Sequence, residues 1–162
     1  MVSTLAKQIK EYKLASILTP IFMILEVVAE TLIPLLMSRM VDYGVNAGNM
    51  DYIVNIAIQM LIIAAFGLLS GYMGGRLGAY ASTGFAHNLR DAMFANIQEF
   101  SFDNIDKFST SSLVTRLTTD VNNLQQAYQM ILRMTFRAPA SLIVSMIMAF
   151  KISPELASVY LY

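Results

Sequence analysis

The chain has no cysteine and a single histidine, His87. Disulfide frameworks and Cys/His metal sites are therefore excluded, and no metal ligand set is assigned. Charge is scarce: 14% of the 162 residues are charged, against about 25% in soluble domains. Lys plus Arg balance Asp plus Glu at 11 each, so no basic surface marks a nucleic-acid partner. Proline is missing between Pro34 and Pro139, and glycine after Gly84, which removes both of the usual helix breakers from residues 85–138, a third of the chain. What remains is apolar: 56% hydrophobic residues and a mean hydropathy of +0.56. That composition belongs to a membrane protein, and the twelve methionines serve mainly as lipid-facing or core filler.

The first apolar run spans residues 14–37. Its length, about 36 Å at 1.5 Å per residue, exceeds the roughly 30 Å hydrocarbon core. The basic stretch before it invites a signal-peptide reading. The run is too long for that, contains Glu26 and Glu30, and ends without a small-residue cleavage site, so it reads as a retained helix. A second run, 52–75, lies in a stretch of 24 residues without charge. The third is weaker, with 13 uncharged residues between Arg137 and Lys151. It must borrow residues 134–136 and leave Arg137 to snorkel or face a polar cavity. A fourth helix is expected to begin at Pro154.

Orientation follows the cation bias. With the N-terminus in the cytoplasm, Lys7, Lys10, Lys13, Arg76, Arg90, Lys107, Arg116, Arg133 and Arg137 lie inside. Arg39 and Lys151 lie outside. The outer connection, residues 38–50, reads as a short loop rich in turn residues, Gly44, Asn46, Gly48 and Asn49.

Between the second and third runs lies a long polar block, Ser109 to Leu124, that keeps a helical period. Phe85, Leu89, Met93, Ile97 and Phe100 mark one face before it. Val114, Leu117, Val121, Leu124, Tyr128 and Ile131 mark a coiled-coil-like seam after it. The spacing predicts membrane helices that continue roughly 25 to 40 Å into the water. They are joined by a short transverse helix carrying Phe102, Ile105 and Phe108 at its tip.

These residues carry a resemblance. Thr110-Ser-Ser-Leu-Val-Thr-Arg116-Leu-Thr-Thr-Asp120-Val121 resembles the first intracellular loop of ABC exporters, whose motif runs Thr-Gly-Glu-Leu-x-Ser-Arg-Leu-Thr-x-Asp-Val. Leu32-Ile-Pro34, continuing to Asp42-Tyr-Gly44, is similar to the end of that family's first membrane helix. Phe85 to Arg90 is similar to its second. Ser111-Ser112 departs from the usual Gly-Glu, a variant found among heterodimeric bacterial multidrug exporters.

The resemblance implies an all-α membrane domain of a multi-pass plasma-membrane exporter, of which residues 1–162 are the N-terminal part. It implies a partner subunit in a heterodimer rather than a homodimer, and a small amphiphilic substrate. It also implies a nucleotide-binding domain, supplied from outside this stretch, that binds ATP and Mg2+. Phe102, Asp103, Asn104, Ile105, Asp106, Lys107 and Phe108 would form the coupling helix that sits on that domain. No G-x-x-x-x-G-K-[ST] motif occurs here. The stretch carries no catalytic residue and is not expected to hydrolyse ATP alone.

Three further groups are singled out by residue type. Gly67, Gly71 and Gly75 repeat at four-residue spacing, with Gly74 and Gly78 beside them. They read as a helix-packing face, static or sliding. Glu26 and Glu30, one turn apart inside the first run, either line the substrate pathway or pair with a basic residue of another helix. Arg133 and Arg137, also one turn apart, are expected at the inner mouth against lipid headgroups, with Arg137 a further candidate for the pathway. His87 reads as a surface or packing residue. Two other classes fit parts of the pattern: a secondary transporter and a helical signalling or adaptor protein. The first does not need long cytoplasmic helix extensions. The second usually carries a larger outer domain.

Overall fold

The computed structural model describes residues 2–99 and 110–152, and every element among them is helical. A short helix α1 (Val2–Ala6) and a 3-10 turn (Lys7–Tyr12) lead into α2 (Lys13–Arg39), which continues as a π turn (Met40–Val45). Helix α3 runs from Met50 to Gln98. Helix α4 (Thr110–Thr115), a π turn (Arg116–Asp120) and α5 (Val121–Ile152) form the third rod. Three stretches, Thr4–Val45, Met50–Gln98 and Ser111–Ile152, are long and apolar enough to cross a bilayer. The all-α membrane fold read from the sequence holds. The transverse helix expected at 102–108 and the fourth helix expected from Pro154 lie outside the described residues.

The pattern of burial is that of a protein solvated by lipid. Leu61, Leu68 and Leu142 point outward, while Thr19, Ser70, Ser82 and Ala81 are buried. In lipid, leucine gains little by leaving the solvent, so small residues that let helices approach take the interfaces. Beyond the apolar runs the logic reverts to that of water. Phe85, Ala86, Leu89 and Val121 form a buried cluster, covered by Leu5, Ile9, Met93 and Tyr128. Each large apolar side chain buried there contributes about 1.5–3 kcal/mol.

Contacts set the helices in register. Ala15, near the start of the first apolar run, packs with Ala81 of α3 and Leu132 of α5. The flanking stretches of α3 and α5 therefore continue past 75 and start before 134, and Arg133 and Arg137 lie within the depth of the first run. Polar pairs stitch the same levels. Ser16 and Tyr128 share a hydrogen bond of 2.7 Å between hydroxyls. Gln125 donates to Thr83 at 3.3 Å, and Arg90 donates to the Leu117 carbonyl at 3.3 Å and to Asn122.

Three local expectations change. The outer connection is tighter than a 38–50 loop, because the backbone stays helical to Val45. Gly44 is part of that π turn and buried, and a Cβ there would lie 2.6 Å from Ile53 Cγ1. Only residues 46–49 turn. Gly48 takes φ +64°, and Asn49 caps α3 by accepting from the Tyr52 amide at 3.1 Å.

The seam of the third rod also shifts. Val121, Tyr128 and Leu132 face the bundle, whereas Val114 and Ile131 are exposed. The π turn absorbs one extra residue and so turns Val114 out of phase with Val121; beyond it the 3.6-residue period puts Leu132, not Ile131, on the face of Val121. Its neighbours are threonines that bond back onto the helix. Thr115 reaches the Ser111 carbonyl at 2.9 Å and Thr118 the Val114 carbonyl at 2.7 Å, a contact that bends helices.

The glycine face is corrected as well. Helices α2 and α3 meet through Gly67, Gly71, Gly74 and Gly78, not Gly75, where an added Cβ would meet nothing within 4 Å. Steps of four drift about 40° each on an α-helix, whereas steps of four, three and four stay on one face. A Cβ on Gly67 would lie 3.1 Å from the Ala29 Cβ, and one on Gly78 3.2 Å from Thr19 Cγ2. One on Gly74 would press into Met23 and lie 3.2 Å from the Phe22 Cβ. Gly74→Leu should therefore cost about 1–3 kcal/mol by over-packing, while Gly75→Leu should be near neutral. Thermal melting of the full-length protein in detergent checks both, and equal losses would refute the register.

Candidate functional site: an intramembrane charge cluster

Glu26 lies in the middle of the first apolar run, and Glu30 one turn further along the same face of α2. An isolated charge at such a depth costs several kcal/mol, so it needs a partner. Arg137 of α5 supplies it. Its Nη1 donates to Glu26 Oε2 at 2.8 Å, and its Nη2 forks onto Glu30 Oε1 and Oε2 at 2.9 and 3.1 Å. The planar guanidinium suits this two-sided grip better than an ammonium would. The geometry joins residues separated by 111 and 107 positions in sequence.

The two halves of the cluster differ. The Glu26 side chain is 18% exposed and that of Glu30 is 55%, so Glu26 forms the inner pair and Glu30 the open one. One cation against two carboxylates leaves a formal charge of minus one. The headgroup role expected for Arg137 does not hold, because its guanidinium turns inward to α2. The other expectation for the glutamates, pairing with a basic residue of another helix, is what the contacts display.

Two concavities flank the cluster. A groove of about 270 Å3 between α2 and α3 is lined by Glu26 and Glu30 together with apolar Ala29, Ile33, Ile63 and Leu68. A second, of about 440 Å3, lies between α2 and α5. It is lined by Met23, Met130 and Met134, by Gln126 and Gln129, and by Arg133 and Arg137. Of the glycines named from the sequence, Gly67 and Gly71 lie beside the first groove and Gly75 stands away from it. His87 pairs with Asp91, 3.4 Å away on the exposed face of α3. No cluster of metal-ligating side chains occurs among the described residues. The coupling-helix candidates Phe102, Asp103, Asn104, Ile105, Asp106, Lys107 and Phe108 lie outside the described residues.

Sequence reasoning missed the packing of the N-terminal segment. Asn88 donates to the Gln8 carbonyl at 2.9 Å, and Tyr12 lies over Gly84, edge-on to Tyr80 with ring centroids 5.1 Å apart. The spacing of Leu5, Ile9 and Tyr12 was the available signal.

The chain matches the family described as ABC transporter transmembrane region over residues 16–162. It is 28% identical over 148 residues to the Uncharacterized ABC transporter ATP-binding protein YfiB of Bacillus subtilis (strain 168), covering 91% of this chain and 26% of that protein. It is likewise 28% identical over 149 residues to the Uncharacterized ABC transporter ATP-binding protein Rv1273c of Mycobacterium tuberculosis (strain ATCC 25618 / H37Rv), covering 92% and 26%. A shorter match, 29% over 73 residues, covers 45% of this chain and 12% of an ATP-dependent lipid A-core flippase from Aromatoleum aromaticum. The chain thus spans about a quarter of the length of the first two relatives.

Proposed function

We propose, because this chain belongs to the ABC transporter transmembrane region family, that it is part of the membrane domain of an ATP-driven exporter. The chain is a multi-pass membrane protein segment. In our reading it sits in the plasma membrane with its N-terminus in the cytoplasm. There it works with the rest of its membrane domain, a nucleotide-binding domain using ATP and Mg2+, and a second exporter subunit, in a heterodimer rather than a homodimer. The observation that carries this is the continuity of α3. Its 49 residues make a rod of about 73 Å, more than twice the hydrocarbon thickness. Such a rod conveys displacement from a motor in the water to a cavity in the bilayer. The coupling contact proposed for residues 102–108 would stand at its far end.

The substrate class we favour is an amphiphile bearing a cation. The cluster's formal charge of minus one attracts it, and Ile33, Ile63 and Leu68 receive its apolar body. Glu30, the more open carboxylate, would make the contact. In inside-out vesicles holding the full-length protein and its partner, ATP should drive accumulation of a cationic fluorescent amphiphile. Glu30→Gln should lower that transport several-fold and leave a neutral analogue unchanged. Equal transport of both by the variant would remove Glu30 from the pathway. No ATP-dependent accumulation of any amphiphile by the unmodified protein would overturn the exporter reading.

A further inference from the structure

Gly71 differs from the other glycines of its seam in what it faces. Gly67, Gly74 and Gly78 lie against side-chain carbon of Ala29, Phe22, Met23 and Thr19. Gly71 lies against a carboxylate. A Cβ there would stand 2.7 Å from Glu26 Oε1, 2.9 Å from its Cδ and 3.4 Å from its Oε2. The whole carboxylate therefore rests on bare α3 backbone on one side and takes Arg137 at 2.8 Å on the other.

We propose that Gly71 is a positioning residue for Glu26, leaving room for its carboxylate so that α3 sets the ion pair between α2 and α5. A flexible side chain can retreat from an added methyl group, so α3 and α2 need not separate. Retreat from Gly71, however, takes Glu26 away from the place where Arg137 meets it. The cost of Gly71→Ala thus falls on the ion pair rather than on helix packing. The three atoms nearest that Cβ all belong to Glu26, so the displacement falls first on Glu26 and not on Glu30. Any consequence for transport rests on the exporter reading above, but the structural coupling does not.

The test is a pair of double-mutant cycles on the full-length protein, read as melting temperature in detergent. Gly71→Ala alone should lower the melting temperature by a few degrees with normal membrane yield. In a Glu26→Ala background the same substitution should cause no loss and should raise the melting temperature slightly, because no carboxylate is left to displace and alanine favours a helix interior over glycine. In an Arg137→Gln background its effect should also largely vanish, because Glu26 is no longer held in place. Additive losses in either cycle would make Gly71 a packing glycine like Gly74 and overturn the proposal, as would an unchanged melting temperature for Gly71→Ala alone. These readings do not depend on transport, so they stand apart from a failure of the vesicle experiment.

Discussion

Arg137→Leu is expected to destabilise the full-length protein by about 3 kcal/mol, the lower end of the cost of stripping one partner from a buried ion pair. The variant leaves Glu26 and Glu30 one turn apart at the depth of the first apolar run with no cation between them. The lower end applies because one unpaired charge at the centre of a membrane helix costs about 2.5–3.5 kcal/mol on insertion scales. Removing all three charges should be far milder, because carboxamides cost much less to desolvate than unpaired carboxylates. Arg137→Leu combined with Glu26→Gln and Glu30→Gln should therefore recover most of the lost melting temperature. Membrane yield and thermal melting in detergent read both variants. If Arg137→Leu melts like the parent, or if the triple variant melts no higher than the single one, the cluster does not hold α2 to α5.

The second large effect concerns the rod. On the exporter reading proposed above, His87→Pro should abolish coupled transport, a loss of at least tenfold, while ATP hydrolysis continues. Proline inside a helix removes one backbone hydrogen bond and clashes with the carbonyl four residues back, here Thr83, at a cost of about 3 kcal/mol. The kink falls beyond the level of Ala81 and Leu132 and within the cluster of Phe85, Ala86 and Leu89, so the stretch between motor and membrane would bend instead of transmitting. His87→Ala provides the control. It removes only an exposed pair with Asp91, of a kind that contributes at most about 1 kcal/mol, and should transport normally. Parallel assays of ATPase activity and vesicle uptake separate the outcomes. Full transport by His87→Pro would mean that α3 need not be rigid there.

The rods were legible in the sequence because helical period and apolar length are local properties. Phe85 and Leu89 announce their face within one turn of each other, and the 24 uncharged residues before Arg76 announce a span. The cluster was only half legible. Two carboxylates in an apolar run require a partner, but nothing local says that a residue 107 positions away provides it. Arg137 looked like a headgroup anchor because it borders an uncharged stretch, and the register that sinks it to the level of Glu26 is fixed by small-residue contacts around Ala15. Gly75 was misplaced for a related reason: a run of four-residue steps is conspicuous on paper, but 3.6 residues per turn selects Gly74. The π turn at Arg116–Asp120 hid the phase of Val114 because a single absorbed residue leaves no mark in composition.

The imbalance of one guanidinium against two carboxylates has an electrical consequence. Moving one elementary charge through the whole membrane potential is worth about 2.3 kcal/mol per 100 mV. A formal charge of minus one held partway across therefore experiences a fraction of that, on the order of 1 kcal/mol at half depth. Neutralising it, or carrying it outward with the helix that bears it, works with or against the cell's voltage. The cluster makes the energetics of this bundle depend on membrane polarisation.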